Sequence, residues 1–139
     1  MVIEQLQAPA VVERRRLISV IVPTLNEERY IGAVLDDMLA QRGIDADVEI
    51  LVADGGSTDK TREIVAQYAA RADVRLIDNP KRHQVSGYNL AIEQARGDII
   101  CITHAHARYP ATYLADCWEV RERTGAANVG GVIRHRGEG

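Results

Sequence analysis

The chain has 139 residues, 46% hydrophobic and 27% charged, with a formal net charge of −3. That is the size of one domain with the composition of an ordinary globular protein, and the mild acidity leaves no electrostatic footprint for nucleic acid. Cys101 and Cys117 lack metal-ligand spacing and read as reduced thiols, and the longest apolar runs fall far short of the roughly 20 residues a membrane helix needs.

Residues 1–16 read as a flexible leader, rich in Gln, Pro and Glu and closing on a basic run. The run ahead of Leu17 is similar to a secretory n-region, but the apolar stretch stops at Pro23 and gives way to Asn26-Glu27-Glu28. A signal peptide is therefore not expected, and the expected location is cytoplasmic.

"LISVIVP" predicts a first strand, apolar on both faces as in a buried parallel sheet. "TLNEERYIGAVLDDMLAQRG" predicts a helix with Ile31, Val34, Leu35, Met38 and Leu39 on one face, Asn26 as N-cap and Gly43 as its stop. "VEILVAD" predicts a second strand. "GGSTDKTREIVAQYAARA" predicts a helix capped by Ser57 or Thr58, with Ile64, Val65, Tyr68 and Ala69 facing inward. "DVRLID" is a third strand, "NPKRHQ" a basic loop, "VSGYNLAIEQARG" a third helix and "DIICIT" a fourth strand. "PATYLADCWEVRERTG" is a fourth helix stopped by Gly125, and "NVGGVI" a fifth strand.

Strands alternating with helices predict a doubly wound, mostly parallel α/β sheet, whose ligands bind beyond the carboxyl ends of the strands. The loops there are Pro23–Glu27, Ala53–Ser57, Asn79–His83 and His104–Tyr109, and they hold nearly all the unusual chemistry. Thr24, Leu25 and the following helix start can offer N–H groups to an anion, although helix capping alone explains Asn26 as well. Asp54 leaves a carboxylate beside Gly55-Gly56, able to accept from a nucleobase imide or a ribose hydroxyl. The loop is not a phosphate-binding P-loop, and strand 1 lacks the G-x-G-x-x-G turn of a dinucleotide site. Lys81, Arg82 and His83 supply basic groups for a diphosphate, or else form a solvated loop.

"ISVIVPTLNEERYIGAVLDDML", "EILVADGGSTDKTREIVAQYA" and "GYNLAIEQARGDIICITHAHARYP" together resemble the donor-binding half of family 2 glycosyltransferases, enzymes of the Rossmann-like, nucleotide-binding GT-A fold. The resemblance runs over roughly residues 17–133, and "HARYP" and "NVGGV" are further similar to the succinoglycan-biosynthesis type of bacterial polysaccharide glucosyltransferase. It implies that residues 17–139 are a nucleotide-sugar-binding half-domain and that Pro23, Thr24, Asn26, Glu27 and Asp54 hold the nucleoside, with Lys81 and Arg82 near the donor. Asp59 also matches the family pattern.

The implied activity is transfer of a sugar, with inversion, from a nucleotide-diphosphate donor to a polysaccharide or lipid-linked acceptor. A UDP-sugar is the expected donor, with action at the inner face of a membrane through partners and a homo-oligomer among the expected assemblies. The alternative is a non-catalytic nucleotide-binding or assembly module.

Two departures from the family pattern carry consequences. His104-Ala105-His106 stands where the family has Asp-x-Asp, and in a strand-like extension both rings would meet one ion. Imidazole nitrogens favour Mn²⁺ over Mg²⁺. Three readings stay open: a divalent metal held with the donor phosphates, protonated rings meeting the diphosphate directly, or loop residues with neither role. The second departure is length. No carboxylate matches the family's catalytic base, Glu119 and Glu122 fit the outer face of the last helix, and the chain is expected to be truncated before its acceptor half.

Overall fold

Ile18, Val20, Val22, Ile50 and Val52 are spaced by two, so each strand that carries them turns one apolar row to each face of a sheet. The computed structural model describes residues 15–131 and Arg134. Its elements alternate as β1 (Arg16–Thr24), α1 (Ile31–Leu39), β2 (Ala46–Asp54), α2 (Thr61–Ala69), β3 (Val74–Asp78), α3 (Gln84–Gln94), β4 (Ile99–Ile102) and α4 (Tyr113–Thr124). All strands pair in parallel, in the order β3-β2-β1-β4.

The even-numbered row of β1 and β2 packs with Ile31, Val34, Leu35 and Met38 of α1, Val65 and Tyr68 of α2 and Leu114 of α4. The opposite row, Ile21, Leu51, Ala53 and Ile77, meets Ala91 of α3. Helices thus cover both faces, as the doubly wound reading requires. At the amino ends of the strands, Ser19 and the buried Glu49 lie side by side in register. A Cβ on Gly97 would come within 2.7 Å of Ser19 N and 2.8 Å of Leu17 O, so only glycine lets the chain enter β4 so close to β1.

Four expectations need correction. Helix α1 begins at Ile31 rather than beside Asn26, because the Asn26 side chain turns away to the α2 loop and its backbone takes φ 53°. The helix also ends at Leu39, capped through Ala40 N–H to Asp36 O, so Gly43 lies in the following loop. Ala69 faces solvent rather than the core. The expected fifth strand is absent over 128–131, where Gly130 and Gly131 offer no side chains to pack; 132–133 lie outside the described residues.

The leader expectation falls largely on 1–14, also outside the described residues, but Arg16 already belongs to β1. Its guanidinium sits 4.2 Å from the centre of the Trp118 ring on α4, which anchors the start of the strand. No helix among the described residues is long and apolar enough to cross a membrane.

Candidate functional site

Parallel register brings Thr24, Asp54 and Asp78 level at the carboxyl edge of the sheet. Asp54 is 1% exposed there and accepts from Thr24 Oγ1 (3.0 Å), Gly56 N (3.1 Å), Ser57 N (2.9 Å), Ser57 Oγ and Arg62 Nη1 (3.0 Å). Burial works to raise its pKa. The bonds from Ser57, Thr24 and Arg62 outweigh burial and hold the carboxyl below its ordinary range. A carboxylate offers about four lone-pair sites, and these five donors occupy them. In this arrangement Asp54 shapes the loop beneath the cleft, while Arg62 reaches on to Asp78 Oδ1 at 2.7 Å.

The first two loops are latched to each other. Asn26 N donates to Ser57 Oγ (2.8 Å), and Asn26 Oδ1 accepts from Thr58 N (2.8 Å). Glu27 N donates to Thr61 Oγ1 (2.8 Å), Glu28 N to Asp59 Oδ2 (3.1 Å), and Asp59 Oδ1 accepts from Thr61 N (2.9 Å). Asp59, rather than Ser57 or Thr58, therefore receives the first N–H of α2. The Asn26 backbone N–H and side-chain oxygen are taken up by this latch, which goes with its left-handed backbone.

The third loop folds over the second. Asn79 is 3% exposed; its N–H reaches Asp54 O (2.8 Å), its Nδ2 donates to His83 O (2.8 Å), and its Oδ1 accepts from Ser86 Oγ (2.9 Å). This loop carries Arg82 at φ 62°, and a Cβ on Gly55 would stand 3.3 Å from the Arg82 Cα. Glycine at 55 therefore lets the two loops touch. Arg82 and Asn26 are the two non-glycine residues with positive φ among those described, and both sit at this edge, as strained residues at ligand sites often do. The Arg82 guanidinium is exposed and makes no ion pair with any described residue.

The fourth loop departs from expectation in shape. His104-Ala105-His106 lies in a turn closed by Ala107 N–H to His104 O (3.2 Å), not in an extension of β4. Ala105 goes into the core and both rings stay exposed, their centres 6.5 Å apart. His106 Nδ1 stands 3.5 Å from Glu27 Oε1, and His104 Nδ1 is 3.5 Å from Gln84 Nε2.

These pieces enclose a cleft of about 200 Å³ whose walls include Pro23, Thr24, Glu27, Arg82, His104 and His106. Lys81 lines a separate hollow of about 340 Å³ with Asp78 and Glu93. Of the candidate donor residues, the fold therefore gathers Pro23, Thr24, Glu27 and Arg82 with both histidines, with Asp54 and Asn26 in the loops beneath and Lys81 on a neighbouring wall. Asn79, Gln84 and Arg62 carry weight that pattern reading missed. The loop that begins at Asn79 was legible in "NPKRHQ", but nothing in the sequence signals that Arg62, eight residues beyond Asp54, returns to it.

As a metal site the donor chemistry is partial. Two imidazoles face the cleft with the Glu27 carboxylate beside one of them, yet no group of three His, Cys, Asp or Glu side chains is gathered for an ion among the described residues. The protein supplies two nitrogens, and a bound ion would need oxygens from elsewhere.

The profile described as "Glycosyl transferase family 2" matches residues 19–139. The chain belongs to this family. It is 36% identical over 124 residues to a dolichyl N-acetyl-alpha-D-glucosaminyl phosphate 3-beta-D-2,3-diacetamido-2,3-dideoxy-beta-D-glucuronosyltransferase of Methanococcus voltae, covering 84% of this chain and 39% of that protein. It is 34% identical over 113 residues to the succinoglycan biosynthesis protein ExoA of Rhizobium meliloti (strain 1021), covering 79% and 34%.

Among solved structures, S. aureus TarS 1-349 in complex with UDP-GlcNAc superposes with a TM-score of 0.65 at 25% identity, covering 84% of this chain and 37% of that one. The mannosyltransferase PcManGT from Pyrobaculum calidifontis, in complex with GDP-Man and Mn²⁺, does so with a TM-score of 0.63 at 33% identity, covering 71% and 30%. The family, the Rossmann-like GT-A fold and the likeness to a succinoglycan-biosynthesis protein stand as the motifs implied. The chain spans 34–39% of the length of these two curated relatives.

Proposed function

We propose that the cleft binds a nucleotide-diphosphate sugar, a UDP-sugar in the first instance, for transfer with inversion to a glycan or lipid-linked acceptor. The observation that carries this is the convergence of all four strand-end loops on one cleft, with the Arg82 guanidinium, in no ion pair with a described residue, and two imidazoles on its walls. The nucleoside lies against Pro23, Thr24 and Glu27, on a floor held by Asp54 and Asn26. Arg82, with Lys81 from the adjoining wall, meets the diphosphate. As the acceptor hydroxyl attacks the anomeric carbon, charge grows on the departing diphosphate, where preformed cationic groups stabilise it most.

His104 and His106 are the residues that would hold a divalent ion, and nitrogen donors favour Mn²⁺ over Mg²⁺. When bound, such an ion supplies charge neutralisation to the leaving group. TarS bound to UDP-GlcNAc and PcManGT bound to GDP-Man and Mn²⁺ support the donor class and a metal in the family. On this reading the acceptor-binding half belongs to the further length that the relatives carry, and the whole protein works at the inner face of a membrane through its partners.

Isothermal titration with UDP and GDP, each with and without Mn²⁺, tests the reading: UDP is expected to bind, and more tightly with Mn²⁺. Arg82→Ala should weaken UDP about tenfold, the worth of one charge-assisted hydrogen bond to phosphate. Absence of UDP binding with and without the ion sinks the donor-site reading. A second reading, an assembly module, draws on Ile100 (39% exposed) and Ile102 (49%) on the edge strand β4. Tight self-association in sedimentation together with no nucleotide binding would favour it.

A further inference from the structure

The histidine turn is not held by β4, which ends two residues before it. It is held from the far side, by α1. Asp37 sits in the last turn of α1, away from the cleft, with its side chain 13% exposed. Its Oδ2 accepts from Arg108 Nε (2.8 Å) and from the backbone N–H of Tyr109 (2.9 Å), while Oδ1 accepts from Arg108 Nη2 (3.0 Å). A fork-to-fork guanidinium pair with an added backbone donor fixes direction as well as distance. Tyr109 passes the constraint on, because its phenolic oxygen accepts the backbone N–H of His104 at 3.1 Å.

Four residues on, just past the end of α1, Gln41 repeats the device. Its Nε2 donates to Pro110 O (2.7 Å) and its Oε1 accepts from Leu114 N (2.9 Å). The segment from His104 to Leu114 is thus fastened to the last turn of α1 and to the residue just beyond its cap at several points. None of these side chains reaches the cleft.

We propose that Asp37 is a positioning residue: through Arg108 and Tyr109 it sets the place of His104 and His106 at the diphosphate end of the cleft. The role in donor binding rests on the donor-site reading above; the hold on the turn does not. Asp37 explains how a turn with two exposed rings stays in one arrangement without a strand beneath it. It also assigns Arg108, which would otherwise be counted as one more basic group for phosphate, to a structural partner.

Asp37→Asn tests this on the full chain. The amide keeps the side-chain volume and one acceptor for Tyr109 but removes the charge that orients Arg108. Hydrogen exchange by NMR should be at least about tenfold faster at the His104 and Tyr109 amides, the loss expected from one charge-assisted bond, with β1 and β2 unchanged. The Mn²⁺-dependent gain in UDP affinity should fall about tenfold, while affinity in chelator stays as in the parent. Asp37→Glu, which restores the charge, should recover part of both.

Arg108→Ala changes an exposed side chain and should loosen the same amides, which covers the case in which Asp37→Asn does not fold. Unmoved amides in both variants overturn the proposal, as does an equal loss of UDP affinity with and without Mn²⁺. Loosened amides in a protein whose parent binds no UDP would refute the donor-site reading and leave the hold on the turn standing.

Discussion

Asp54→Ala is expected to lower the stability of the chain by about 3 kcal/mol and to abolish measurable UDP binding. Removing one partner from a buried ion pair costs on the order of 3–5 kcal/mol because the remaining groups stay desolvated and unpaired. Here the orphans would be Gly56 N, Ser57 N and part of Arg62, whose side chain is 39% exposed and can turn to water, hence the lower end of that range. Denaturant titration gives the stability and calorimetry the binding. A variant that keeps its stability within about 1 kcal/mol yet loses UDP would show Asp54 to be a direct ligand and not the organiser of the loop.

The second large effect lies at the opposite end of the sheet. Glu49 is fully buried and accepts from Ser19 Oγ (2.6 Å), Arg96 N (2.7 Å) and Arg96 Nε (2.8 Å). Arg96 in turn grips Asp73. Glu49→Ala should cost about 3 kcal/mol, again near the lower bound because Arg96 is largely exposed, and should leave UDP affinity in the surviving folded protein unchanged. The contrast with Asp54→Ala separates a scaffold remote from the cleft from one beneath it.

Glu49 and Asp54 also give stability a pH dependence with a definite sign. Burial raises both pKa values, but hydrogen bonds from Ser19 and Arg96 in one case, and from Ser57, Thr24 and Arg62 in the other, carry both below the ordinary 4.5 and 3.8. A carboxyl with a depressed folded pKa adds stability that is fully present above its unfolded value and is lost as pH falls through the folded one. Denaturation midpoints should therefore be flat well above pH 4.5 and decline below it, with a shallower decline in Glu49→Gln. A midpoint that rises on acidification would contradict the assignment of both groups.

What could be read in advance follows from periodicity. The two-residue alternation in β1 and β2 and the helical spacing of Ile31, Val34, Leu35 and Met38 report burial directly, because a side chain's face is set by its position along the element. The order of strands and helices, the helices on both faces, and the family motifs were therefore legible in the chain itself. So was the location of the cleft, since parallel strands bring their carboxyl ends to one edge whatever the details of packing.

The arrangement inside the cleft was set by contacts between residues far apart in the chain, to which local patterns are blind. Asn26 looked like a helix cap and proved to be a latch onto Thr58, 32 positions away. The histidines looked like a strand extension, but the chain turns at Ala105 because that small side chain is drawn into the core and Asp37 pulls the following segment onto α1. Residue types and element order were the sequence's to determine. Which polar atom meets which, and so which groups remain free for a ligand, was decided only when buried donors and acceptors had to find partners across the folded chain.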